Sequence, residues 1–181
     1  MDEAELKGAL LNLIKEKAFK KGDFTLASGK KATFYIDGKQ ATLDPQGLFL
    51  TGKLILMMLH GVNADAIGGP TMGADPIAAA VSVLSSQTGH PLKAFIVRKA
   101  AKDHGTQKLI EGPELKEGDR VVMVEDVITT GGSVLEAIRQ VEAAKAKVVK
   151  VICLVDRNQG ARELLSAYPY TPIFELSDLG V

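Results

Sequence analysis

The sequence predicts an α/β fold: a parallel β-sheet core flanked by helices, with a small N-terminal hood and a flexible lid loop. From Ala64 onward, apolar runs alternate with helical patterns in the order "ADAIGG", "DPIAAAVSVLSSQ", "KAFIVRK", "DRVVMVEDV", "GSVLEAIRQVEAAKA" and "KVVKVICLVD". Continuous β-branched runs belong to strands buried on both faces, and such strands are parallel and joined by helices. Within "SVLEAIRQVEAAKA", Val134, Leu135, Ile138 and Val141 make one apolar stripe, the face a crossover helix lays on a sheet. A chain of 181 residues at 46% hydrophobic is long enough for one substantial core. Residues 1–181 therefore read as a single domain, with the hood over about 1–40 and the core over about 41–181.

In chain order, Leu6, Leu10, Leu13, Ile14 and Ala18 recur at helical spacing, which predicts an opening amphipathic helix from about Asp2 to Lys20 stopped by Gly22. "FTLASGKKATFYID" has β-rich flanks around Ser28-Gly29 and predicts a hairpin. Asp44-Pro45 starts a second helix through "GLFLTGKLILMML" to the break at His60-Gly61. "GLFLTGKL" satisfies a Walker-type GxxxxGK, but it continues with Leu54 and lies inside a helical pattern, so it reads as core helix. His60 and His90 fall at helix ends beside Gly61 and Pro91, where capping or exposure explains them better than metal binding. Residues 98 to 119, "RKAAKDHGTQKLIEGPELKEGD", are charged and too long for a tight connection, the character of a lid or binding loop. "TPIFEL" is the last strand.

Formal net charge is zero, so nothing in the overall balance calls for a nucleic acid or an acidic membrane surface as partner. Cys153, the single cysteine, lies in an apolar run; this excludes an internal disulfide framework and fits a buried thiol in a reducing compartment. The N-terminus lacks an uninterrupted apolar core, and no run reaches membrane-spanning length, so the expected location is cytoplasmic.

The chemistry concentrates in "VVMVEDVITTGGS", Val121 to Ser133. Its first half is a buried strand and its second half a strand-to-helix turn at the carboxyl edge of a parallel sheet, where open α/β sheets bind ligands. Backbone N–H groups of Thr130 to Ser133, with the hydroxyls of Thr129, Thr130 and Ser133, open the next helix and favour a single phosphate. Glu125 and Asp126 repel phosphate but accept hydrogen bonds from vicinal hydroxyls, so a sugar phosphate satisfies both halves, and magnesium is tolerated nearby. A capped turn alone would explain a bare TTGGS. It does not explain the acid pair fixed ahead of it. "RKAAKDHG" adds the permanent cations Arg98, Lys99 and Lys102 and the titratable His104, a set suited to a multiply charged anion.

"VVMVEDVITTGGS" resembles the phosphoribosyl diphosphate signature of the type I phosphoribosyltransferases. "FTLASGKKATFYID" and "VRKAAKDHGTQKLIEG" are similar to the hairpin and lid of the orotate-using members, and "DRNQG" is similar to their orotate-contacting arginine segment. The resemblance runs from Gly22 to Arg157. It implies the type I phosphoribosyltransferase fold and a transfer of 5-phosphoribosyl from phosphoribosyl diphosphate to orotate, in pyrimidine biosynthesis. Glu125, Asp126, Val127, Ile128, Thr129, Thr130, Gly131, Gly132 and Ser133 would then hold the ribose and its 5-phosphate, with Thr129 and Arg157 facing orotate. Arg98, Lys99, Lys102 and His104 would gather on the diphosphate, with Lys102 and His104 as catalytic residues. The resemblance also implies Mg2+ bound mainly through the substrate's diphosphate and ribose, and a homodimer whose lid is shared across subunits.

The chain departs from the family pattern at Ala27, where many members carry lysine, and at Ala32, where serine is common. A contact made there is either lost or supplied by Lys30 or Lys31. "GGPTMGADP" occupies the family's diphosphate-loop position, with Thr71 and Met72 at its tip. Two other readings stay open on sequence grounds: a phosphoribosyltransferase for another nucleobase, and a nucleotide-sensing regulator on the same fold.

Overall fold

In a computed structural model, residues 1–25, 31–100 and 108–181 are described. The hood opens with α1 (Glu3–Leu13), which Asp2 caps: its carboxylate accepts from the Glu5 N–H at 2.9 Å while the Glu5 carboxylate accepts from the Asp2 N–H. The helix does not run to Lys20. A π-helical turn at Ile14–Ala18 closes it, and Phe19 already begins β1 (Phe19–Thr25). Gly22 is therefore not a helix stop; it sits where the β1 register shifts between Lys21 and Phe24 against antiparallel β2 (Lys31–Ile36). Pairing across the hairpin overrides the helical periodicity of the mixed-charge segment before it.

A short α2 (Lys39–Thr42), unread in the sequence, leads to α3 (Pro45–Met58), where the Asp44 carboxylate accepts from the N–H groups of Gln46 and Gly47. The Walker-like "GLFLTGKL" lies within α3. Alternation then proceeds through β3 (Ala66–Pro70), α4 (Ala74–Ser85), β4 (Lys93–Val97), β5 (Ile110–Glu111) and β6 (Arg120–Ile128). It continues with α5 (Gly132–Ala143), β7 (Lys147–Asp156), α6 (Ala161–Leu164), β8 (Tyr170–Glu175) and α7 (Leu176–Leu179).

The sheet has the order β5-β4-β3-β6-β7-β8 and is parallel except for the edge strand β5. That strand corrects the reading of residues 98 to 119 as loop alone: Ile110 and Glu111 pair with Val97 and Ile96, an element too short to show a period. Lys102 and His104 lie outside the described residues, as do Ala27, Ser28 and Lys30.

Alternation along the strands divides the core between the two faces. Val122, Val124, Ile152 and Leu154 pack with α1, α3 and α4, while Val121, Met123, Val151 and Cys153 pack with α5. Glu125 and Asp126 continue these two rows at the carboxyl end of β6, which places one acid on each side of the sheet's central strand. Among the described residues, no helix is long and apolar enough to cross a membrane.

Candidate active site

The site is built where β6 and β3 end side by side. After Ile128 the chain turns through Thr129 and Thr130 into Gly131, whose φ of +89° a side chain would resist, and α5 begins at once. Leu135 N–H is already bonded to Gly131 O, so the amides before it open toward the cup rather than closing the helix. Thr129, Thr130, Gly131, Gly132 and Ser133 line a cup of about 370 Å³. Backbone donors and a helix N-terminus give it the chemistry to accept one phosphate group.

Beside the cup lies an open cleft of about 910 Å³, whose walls include Lys39, Thr71, Met72, Gly73, Lys99 and Asp126. Cup and cleft share Glu125, Val127 and Ser133, so they are one continuous depression with the acid pair at the junction. The loop after β3 closes tightly over that pair. A Cβ on Gly73 would collide with Glu125 Oε1 and Asp126 Oδ1, and a Cβ on Gly38 would lie 2.7 Å from Asp126 Oδ2. Thr71 N–H donates to Val97 O at 2.9 Å, and its hydroxyl donates to Asp75 at 2.8 Å, which fixes the loop at the mouth of the cleft. The Thr71–Met72 peptide is cis.

Both acids are buried, with Glu125 9% and Asp126 7% exposed. They are not equivalent. Burial, reinforced by the neighbouring Asp126 charge, pushes the Glu125 carboxyl up to about 9, so it holds its proton at neutral pH. Asp126 Oδ1 accepts from the Val127 N–H at 2.8 Å, and Lys39 Nζ stands 3.9 Å from Oδ2. One neutral and one charged acceptor at adjacent positions suit a pair of vicinal hydroxyls better than a second phosphate.

Arg157 begins the turn after β7, and its N–H donates to Ile128 O at 2.8 Å, which sets it beside the start of the cup. Its guanidinium lies 5.4 Å from the Phe34 ring of the hood, and its buried Nε has no partner among the described residues. A buried, unpartnered donor under an aromatic lid fits a planar anionic ligand. The turn is held from behind by Asp156, fully buried, which accepts from Tyr170 OH and from the Asn158 N–H, each at 2.8 Å.

Of the residues read from the sequence, Glu125 to Ser133, Lys99 and Arg157 lie at this edge. Arg98 meets Glu111 at 3.4 Å and lines a neighbouring cavity of about 590 Å³ rather than the cleft. Lys102 and His104 fall in the undescribed segment. The sequence reading missed Lys39, Phe34 and the close approach of Gly38; "FYIDGK" carries all of these, but no periodicity places that segment over β6. Cys153 is buried against Tyr170 OH at 3.1 Å, and burial drives its thiol upward, so it is no nucleophile at neutral pH.

The described geometry can be set against known proteins. A phosphoribosyl transferase domain model matches residues 52–174. Orotate phosphoribosyltransferase of Nostoc sp. is 45% identical over 180 residues, covering 98% of this chain and 87% of that protein. Its namesake in Streptomyces avermitilis is 46% identical, covering 98% of each. Among solved structures, the Mycobacterium tuberculosis orotate phosphoribosyltransferase in complex with Fe(III) dicitrate aligns with a TM-score of 0.86 at 39% identity, over 97% of this chain and 99% of that one. The same enzyme in complex with 5-phospho-alpha-D-ribosyl 1-diphosphate aligns with a TM-score of 0.82 at 35% identity, over 97% and 99% of the chains.

Proposed function

The chain belongs to the phosphoribosyltransferase family as an orotate phosphoribosyltransferase, and from that premise we propose how its residues divide the reaction. The observation that carries the proposal is the continuity of cup and cleft through Glu125, Val127 and Ser133. Phosphoribosyl diphosphate has an anionic group at each end of a ribose, and this depression offers an anion seat, then hydroxyl acceptors, then a cation-bearing cleft. The 5-phosphate sits in the Thr129–Ser133 cup, the ribose hydroxyls meet Glu125 and Asp126, and the diphosphate lies along Thr71 to Gly73 and Lys99. Orotate stacks its plane under the hood against Arg157, where its carboxylate pairs with the guanidinium.

In the reaction the bond from C1 of the ribose to the diphosphate oxygen breaks, and its electron pair leaves with the diphosphate. A ring nitrogen of orotate forms the new bond to C1, and the proton it carried passes to the departing diphosphate or to water. The barrier is charge separation, so the residues act by orienting the two substrates and stabilising the leaving group rather than by forming a covalent intermediate. Lys102 and His104, with Lys99 and Arg98, neutralise the departing charge, and Lys102 and His104 do so from the neighbouring subunit of a homodimer.

Magnesium fits this donor set. It takes one or two carboxylates and completes its shell with substrate oxygens and water, and Asp126 supplies a charged carboxylate where the ribose and diphosphate meet. When bound, the ion supplies positive charge to the leaving diphosphate. The buried free cysteine supports a reducing, cytoplasmic setting. Turnover measured with orotate, uracil, hypoxanthine and adenine, with and without magnesium, tests the assignment. Release of diphosphate with orotate alone is expected; a preference for another base would overturn it.

A further inference from the structure

We infer that Lys39 is a further substrate-binding residue: a cation presented from the base of the hood that binds the diphosphate next to C1 of the ribose. The inference rests on the reading of the cleft as the phosphoribosyl diphosphate site. Lys39 Nζ lies 2.9 Å from Asp37 Oδ1 and 3.9 Å from Asp126 Oδ2, and the side chain lines the cleft together with Thr71, Gly73 and Lys99. Asp37 is itself fastened, since its N–H donates to Ala18 O at 2.9 Å and its Oδ2 accepts from Gln40 Nε2 at 3.2 Å. The ammonium is thus held at the seam between hood and core.

Connectivity of the substrate makes that position significant. If Asp126 accepts from the C2 or C3 hydroxyl, C1 is at most two bonds away along the ring, and the first phosphorus is two bonds beyond C1. An ammonium within 4 Å of the same carboxylate is therefore in reach of the oxygens on that phosphorus. Charge points the same way. Among the described residues lining the cleft, Lys39 and Lys99 are the cations, so theirs are the two ammonium groups it offers a diphosphate. The Lys39 side chain is 42% exposed, and pairs so exposed contribute little by themselves, leaving the ammonium free to trade a carboxylate for a phosphate oxygen. As the C1–O bond breaks, charge grows on the oxygen nearest this ammonium, and the contact strengthens.

Steady-state kinetics in both directions separates this role from a structural one. Lys39→Met is expected to raise the KM for phosphoribosyl diphosphate, and for diphosphate in the reverse reaction, by about tenfold or more, the scale of a lost hydrogen bond to a charged group. The KM for orotate is expected to move by less than about threefold, because the orotate site at Arg157 keeps its contacts. Lys39→Arg restores most of the loss. Asp37→Asn removes the ammonium's partner but keeps the ammonium, so it raises the same constants far less. An unchanged KM for phosphoribosyl diphosphate in Lys39→Met, or an equal rise in Asp37→Asn, overturns the inference. If Lys39→Met fails to fold by thermal melting, Lys39→Gln carries the same comparison. Wild-type protein that releases no diphosphate with any base would sink the functional reading itself, whereas normal wild-type turnover with an unaffected Lys39→Met sinks only the role of Lys39.

Discussion

On the proposed reading, the phosphate cup and the diphosphate cleft would hold their anions by opposite means. The cup is a contiguous run, Thr129 to Ser133, whose donors are backbone amides fixed by Gly131 and the start of α5. The cleft is gathered from segments far apart in the chain: Lys39 from α2, Thr71 to Gly73 after β3, Lys99 after β4 and Asp126 in β6, three strands that are neighbours in the sheet. The difference follows from the fates of the two ligands. A 5-phosphate stays on the sugar throughout the reaction and needs only a rigid seat, which amides supply without side-chain entropy. A diphosphate must be held, stabilised more strongly as it leaves, and then released, a task the proposed reading gives to long cationic side chains such as Lys39 and Lys99.

The sharpest break in this comparison is on the cleft side. Lys102→Ala is expected to lower kcat by about a hundredfold or more while moving the substrate KM values much less, the pattern of a contact made mainly in the transition state. An equal effect on KM would make Lys102 an ordinary binding residue. If the protein is a homodimer with a shared lid, as proposed, mixing the Lys102→Ala and Asp126→Asn proteins is expected to raise activity above the sum of the two alone, since each hybrid has one site with both residues intact. No recovery after verified subunit exchange would mean that each chain closes its own site. At the junction, Asp126→Asn is expected to weaken phosphoribosyl diphosphate binding by about 1.5–3 kcal/mol, the loss of a charge-assisted acceptor. Unchanged kinetics in a folded variant would remove Asp126 from the site.

Arg157→Ala sharpens the comparison from a third position, because neither anion seat includes this residue. Its KM for orotate is expected to rise about tenfold with that for phosphoribosyl diphosphate nearly unchanged. Equal loss for both substrates would place Arg157 in the structure or in the diphosphate site.

Cup and cleft also differ in how far the sequence discloses them. "EDVITTGGS" is local: an acid pair, hydroxyls and glycines in fixed order on a strand-to-helix turn are enough to locate the cup, and alternating apolar runs are enough to orient the sheet around it. Lys39 was silent because nothing within "YIDGKQAT" indicates that the base of a hairpin will cross the carboxyl end of β6 more than eighty residues later in the chain. Arg98 shows the opposite case. A cationic run marks it beside Lys99, but nothing in the sequence indicates that Glu111, on a two-residue edge strand, stands 3.4 Å from its guanidinium. The opening helix ends two residues short of its expected limit for a related reason: hairpin pairing claims Phe19 and Lys20.

The smallest expected effect lies at the shared wall, where Glu125 belongs to both cup and cleft. Burial, helped by the Asp126 charge, raises its carboxyl from the ordinary 4.5 to about 9. In the unfolded chain the same group ionises near the ordinary value, so between these limits unfolding releases a proton. The unfolded state then binds fewer protons than the folded one, and the contribution of Glu125 to stability falls as pH rises across that window. Below it the penalty is absent; above it the penalty is complete. Glu125→Gln removes the titration while keeping the side chain's length. Measured by denaturant unfolding without substrates, it is expected to match wild type within about 0.5 kcal/mol near pH 4.5 and to exceed it by about 1 kcal/mol or more near pH 8. A difference that does not change with pH would mean that Glu125 is ionised in the folded protein, and the contrast between a neutral and a charged acid at the junction would fall with it.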